Sequence, residues 1–258
     1  MTRIKDAFKE KAFIAFLTAG DPSYEESLEN FRAAIRGGAS LIEVGIPFSD
    51  PIAEGPVIQE ADIRALSGGM TTDKVFDLVK DIRKESDIPL VFMTYANPVF
   101  HYGLDRFFNN AAAAGADGII IPDVPYEESK EFSEVAEKYG IDFIPLVAPT
   151  SEDRIKMIAA SAKGFIYVVS SMGVTGVRSE INTDLKSMVE SIRSVTDVPC
   201  AIGFGISKPE QAEKMAEIAD GVIVGSAMVK IVASEKENAP KKLEEYVREM
   251  KDAVKSVE

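Results

Sequence analysis

The sequence predicts a single (β/α)8 TIM barrel spanning residues 1–258, with an additional N-terminal helix. Three observations predict it. Short runs rich in β-branched and aromatic residues recur eight times; the segments between them are long enough for crossover helices; and the runs read as apolar on both faces. Strands of that kind, alternating with helices, form a parallel sheet covered by helices. Eight such units in 258 residues fit a closed barrel better than an open doubly wound sheet, which has fewer strands and a glycine fingerprint after its first. No break in composition divides the chain, so one domain is expected.

The strands are expected at residues 13–18, 41–45, 90–95, 118–123, 143–147, 165–170, 200–204 and 222–225, with helical spacing over 24–35, 72–84, 104–114, 129–139, 152–162, 185–195 and 209–219. Small-residue steps recur where a helix gives way to the next strand: Gly37-Gly38-Ala39, Gly115-Ala116-Asp117 and Ala219-Asp220-Gly221. Glycine after a helix is the usual stop, so these mark one turn repeated at the same point of the unit. The first strand is followed by Ala19-Gly20-Asp21-Pro22, which is not a dinucleotide-binding loop. Two loops stand out: the proline- and carboxylate-rich segment 46–56 after the second strand, and the glycine-punctuated segment 171–178 after the sixth, which reads as a lid. Both belong to the C-terminal face, where barrels carry their chemistry.

Composition narrows that chemistry. A formal charge of -13, from 29 basic and 42 acidic side chains, leaves no positive field for nucleic acid. One His and one Cys cannot supply a multi-histidine zinc site or a dithiol, and no metal is expected. No stretch approaches the roughly 18 apolar residues of a membrane span, nor does the start resemble a signal peptide, so a cytoplasmic location is expected.

Glu43 interrupts an apolar strand. Alternation places Ile42 and Val44 on one face and Glu43 on the other, so it points into the barrel near its mouth, with a raised pKa suited to proton transfer. The alternative is a structural ion pair, although the strand cores hold no Lys or Arg to complete one. Glu54, eleven positions later, is either a solvated loop acid or the second carboxylate of an acid and base pair in unlike surroundings. Tyr95 and Tyr167 lie toward strand ends, where a buried tyrosine is usually core; Tyr167 gains weight from preceding the lid. Asp50 reads as a turn residue, His101 as solvated and Cys200 as a buried small apolar group. Gly205 after the seventh strand, Gly225 and Ser226 after the eighth, and Gly176 of the lid offer backbone amides for phosphate, or are merely tight turns. With no strand lysine for a Schiff base and too few histidines for a zinc aldolase, carboxylate chemistry on a small phosphorylated molecule remains.

These stretches resemble the α subunit family of tryptophan synthase: Leu-Ile-Glu-Val-Gly-Ile-Pro-Phe-Ser-Asp-Pro from Leu41, Tyr-Ala-Asn-Pro from Tyr95, and Pro-Asp-Val-Pro from Pro122, then Gly-Val-Thr-Gly from Gly173, Gly-Phe-Gly-Ile-Ser from Gly203 and Gly-Ser-Ala-Met-Val-Lys from Gly225. The resemblance spans nearly the whole chain. It implies retro-aldol cleavage of indole-3-glycerol phosphate to indole and glyceraldehyde 3-phosphate. Glu43 matches the family's catalytic glutamate; Phe16, Tyr95 and Tyr167 fall near the substrate; and Gly176, Gly205, Gly225 and Ser226 match phosphate-holding positions. It also implies a β subunit partner in an α2β2 complex, receiving indole through a channel. The partner carries pyridoxal phosphate, while this chain needs no cofactor. The chain departs from the family pattern in Ala53-Glu54-Gly55, where an aspartate is usual, and at Ser171, where many members carry arginine. A stand-alone lyase, or a catalytically weak subunit that activates its partner, are the other readings left open.

Overall fold

The computed structural model describes residues 3–170, 181–203 and 205–257. Its strands are β1 (Ala12–Thr18), β2 (Leu41–Gly45), β3 (Leu90–Met93), β4 (Gly118–Ile120), β5 (Asp142–Phe143), β6 (Leu146–Val147), β7 (Ile166–Val169), β8 (Cys200–Gly203) and β9 (Gly221–Val224). They form one parallel sheet in the order β5-β4-β3-β2-β1-β9-β8-β7-β6. The two ends of that order, β5 and β6, are pieces of one segment, so the sheet closes on itself.

The expected fifth strand, 143–147, is thus divided, and Pro145 explains how. Ile144 donates its N–H to Ile119 O at 2.8 Å on one side; Pro145 has no N–H, but its carbonyl accepts from Tyr167 N at 3.0 Å on the other. The segment changes partners at the proline while remaining in the wall of the barrel.

Alternation sorts the strand residues into two buried layers. Ile14, Phe16, Leu41, Val91, Met93, Ile120, Ile144, Tyr167, Ala201 and Ile223 fill the interior. Phe13, Ala15, Ile42, Val44, Phe92, Ile119, Val168, Ile202 and Val224 pack outward beneath the helices. Every residue of β1 and β2 is buried, in keeping with strands covered on both faces. The short N-terminal helix Ile4–Ala7 closes the bottom, with Ile4 fully buried and the Phe8 ring 5.7 Å from that of Phe165.

Helix starts follow from local chemistry. Ser23, Thr71 and Ser151 each accept a hydrogen bond from the backbone N–H three residues on, which fixes the first turns of Tyr24–Arg36, Thr72–Arg83 and Glu152–Ala160. Among the described residues, four α-helices stand beyond those the spacing predicts: Pro56–Ser67 and Ala96–Tyr102, which follow β2 and β3, and Ser226–Glu235 and Ala239–Lys255, which follow β9. Among the described residues, no helix is long and apolar enough to cross a membrane.

The repeated turn before a strand has a side-chain mechanism as well as small residues. Asp117 accepts from Leu90 N, the first residue of β3, and pairs with Arg83 at the end of helix Thr72–Arg83. Asp220 accepts from Cys200 N, the first residue of β8, and pairs with Arg193 at the end of helix Ile181–Arg193. In each case one aspartate joins a helix end to the start of a neighbouring strand.

Candidate active site

Glu43 lies in the middle of β2, paired in register with Phe16 of β1 and Val91 of β3. It shares the inward face with Leu41, as alternation predicts, and is 1% exposed. Its Oε1 has no hydrogen-bond partner among the described residues, and burial pushes its pKa up to about 8. A carboxyl held this way keeps its proton near neutrality and can still give it up.

Glu54 stands two residues before the helix Pro56–Ser67, for which Gly55 is the cap. Its Oε2 is buried without a partner among the described residues. Its pKa is pushed up to about 7, chiefly by burial and further by the charge of Asp123; an interaction with its own backbone N–H works the other way. Gln59 Nε2 holds the Glu54 carbonyl at 2.8 Å.

Tyr167 of β7 is 5% exposed; burial, and then the charges of Glu43 and Glu54, raise its pKa well above the usual tyrosine value. One phenol thus senses both carboxylates across the barrel mouth. Gly203 makes room for it, since a Cβ there would stand 2.3 Å from the Tyr167 hydroxyl. The Phe16 ring lies between Gly45 and Gly225, where added Cβ atoms would come within 2.7 and 3.2 Å of it. Glycine at these strand ends lets aromatic rings fill the mouth.

Phe16, Glu43, Glu54, Tyr167, Gly205, Gly225 and Ser226 all line one cleft of about 1960 Å3 that opens at the C-terminal face. Gly205 takes φ 75°, a conformation glycine favours, and Gly225 and Ser226 begin the helix Ser226–Glu235 at the cleft wall. The positive end of that helix dipole faces the cavity some distance from the carboxylates' strand. Gly176 lies outside the described residues, as does Ser171. Tyr95 is 3% exposed and does not line the cleft; its hydroxyl accepts from Ala53 N at 2.9 Å, and its ring lies 5.5 Å from Phe48. Asp50 is exposed and takes a bond from the Ser49 hydroxyl, His101 is exposed, and Cys200 is buried.

Two carboxylates escape the sequence reading. Asp62, 6% exposed on helix Pro56–Ser67, is pushed up to about 8 by burial first and by the Glu54 charge second. Its signal was available: Ile58, Asp62 and Ala65 fall at i, i+4 and i+7, placing an acid within the inward stripe. Asp123, three residues past the end of β4, accepts from Ala96 N at 2.9 Å, which supplies a cap to the helix Ala96–Tyr102 from a neighbouring loop.

The chain is similar in sequence and fold to known proteins. A family model described as Tryptophan synthase alpha chain matches residues 3–255. A tryptophan synthase alpha chain from Lacticaseibacillus casei is 53% identical over 255 residues, which is 98% of this chain and 96% of the relative. The crystal structure of tryptophan synthase subunit alpha from Legionella pneumophila str. Paris superposes with a TM-score of 0.90 at 36% identity, covering 99% of both chains. A structure from Pyrococcus furiosus, from work on mutual activation of the tryptophan synthase α2β2 complex, superposes at 0.86 with 38% identity, covering 95% of this chain and 99% of that one.

Proposed function

The chain belongs to the tryptophan synthase alpha chain family, and from that premise and its buried carboxylates we infer that it cleaves indole-3-glycerol phosphate to indole and glyceraldehyde 3-phosphate. The observation that carries the site assignment is Glu43, a carboxyl buried on the inward face of β2 at the cleft, with an oxygen that has no partner among the described residues.

The Glu43 carboxyl donates its proton to C3 of the indole ring, which makes the ring an electron sink. The resulting carboxylate takes the proton from the hydroxyl on the adjacent side-chain carbon. The bond between C3 and that carbon breaks, its electron pair returns to the ring, and the hydroxyl carbon leaves as the aldehyde. Glu43 ends the cycle protonated. Glu54, as carboxylate, accepts from the indole N–H and stabilises the positive charge that develops on the ring. Phe16 and Tyr167 flank the ring, while amides at Gly205, Gly225 and Ser226, with Gly176, hold the phosphate and orient the reacting end.

The chain acts as a single catalytic domain on carboxylates and backbone amides, without metal or cofactor. It works with the β subunit of tryptophan synthase in an α2β2 assembly, and that partner carries the pyridoxal phosphate and consumes the indole. The setting is the cytoplasm.

Indole release, measured with the partner present on wild type and on Glu43→Gln, tests the reading. Loss of about 100-fold or more in kcat is expected, with affinity for inorganic phosphate retained. Unchanged turnover removes Glu43 from the mechanism.

A further inference from the structure

We propose that Tyr95 is a positioning residue, which holds Glu54 in place through the backbone of Ala53 and does not itself bind substrate. The proposal rests on the assignment of Glu54 to the reaction. Tyr95 caps the helix Ala96–Tyr102, two residues beyond the end of β3, and is 3% exposed. Its own frame is rigid: Thr94 N donates to Ile120 O at 3.1 Å and Ala96 N to Asp123 at 2.9 Å, which ties both neighbours to β4 and the loop after it.

From this base Tyr95 reaches across to the loop 46–55 at two points. Its ring meets Phe48 near the start of the loop, and its hydroxyl accepts from Ala53 N at the far end, one residue before Glu54. The loop needs such bracing. Pro47 and Pro51 have no N–H to offer, and Ile52 at its crest is 80% exposed, so little packing holds the arc between them. The Ala53 N–H is therefore aimed by a phenol on a rigid strand end. Because Tyr95 does not line the cleft, its hydroxyl acts on the chemistry through the next peptide.

A small displacement of a catalytic group costs rate without costing binding of the remote end of the substrate. Tyr95→Phe removes the hydroxyl and keeps the ring against Phe48. With the partner subunit present, kcat is expected to fall about tenfold while KM stays within about twofold. The same substitution placed on Glu54→Gln is expected to cost nothing further, because the group it positions is already disabled. Three outcomes overturn the proposal: a raised KM with kcat intact, which makes Tyr95 a substrate contact; a loss that simply adds to that of Glu54→Gln, which makes it structural; or no loss at all. Glu54→Gln alone keeps the two readings apart. If that variant turns over like wild type, the role of Glu54 fails, whatever Tyr95 does.

Discussion

At the scale of single residues, the site works by withholding water from acids. Burial alone raises Glu43 from its ordinary 4.5 to about 8, and burial with the Asp123 charge raises Glu54 to about 7. The proposed mechanism requires Glu43 protonated and Glu54 ionised in the free enzyme, so kcat/KM should rise through about 7, fall through about 8 and describe a narrow bell. A plateau from pH 5 to 10 would contradict that division of roles. The same burial costs stability. Below about 4.5, folded and unfolded chains both hold the Glu43 proton; between there and 8 only the unfolded chain ionises, and stability falls by about 1.4 kcal/mol per pH unit. Glu43→Gln should therefore resist urea better than wild type at pH 8, with the advantage gone at pH 4. Glu43 was legible in the sequence because one acid interrupted a strand otherwise apolar on both faces. The hydrogen bond of Tyr95 was not, since its partner is a backbone N–H forty-two residues away, and sequence patterns carry no trace of such a bond.

At the scale of elements, the Asp117 and Asp220 devices look alike and differ in cost. Asp117 is 3% exposed and the Arg83 side chain 11%, so removing the carboxylate strands a buried guanidinium and the Leu90 N–H together. Asp117→Ala should cost about 3–5 kcal/mol. The Arg193 and Asp220 side chains are 50% and 35% exposed, so that pair is screened by water, and Asp220→Ala should cost about 1–2 kcal/mol, mostly for the Cys200 N–H. Urea midpoints of the two variants check the order. The sequence marks these turns by their small residues; the aspartates' partners lie on other elements and leave no local pattern. Helix Pro56–Ser67 was hidden for a related reason. It buries Asp62 and exposes Ile63, which inverts the apolar period at its centre. The acid faces inward beneath the loop that carries Glu54, so the blurred pattern belongs to an element shaped by its place beside the site.

At the scale of the whole molecule, the charge of -13 opposes an anionic substrate. Most of it is spread over exposed side chains, whose reach shrinks to roughly 8 Å at physiological ionic strength. Raising an inert monovalent salt from low to physiological concentration should lower KM for the phosphorylated substrate, because it screens repulsion at long range while the amides at the cleft act at contact. A rising KM would mean that long-range attraction guides capture instead. The barrel itself was legible because eight apolar runs with helical spacers allow few other arrangements. The division of its fifth wall was not, because Pro145 removes one donor while the rest of the run still reads as strand.

The pairing of β1 with β9 has a consequence for how the protein is made. Phe13 and Ile14 find their partners on one side in Leu41 and its neighbours soon after synthesis, but on the other side only in Val222 and Ile223. At ordinary rates of translation, about 10 to 40 s separate the emergence of these strands. During that interval one edge of β1 stays open on the ribosome, offering unpaired amides to whatever lies near. Only when β9 has emerged and paired with β1 is that edge covered as it is in the folded barrel.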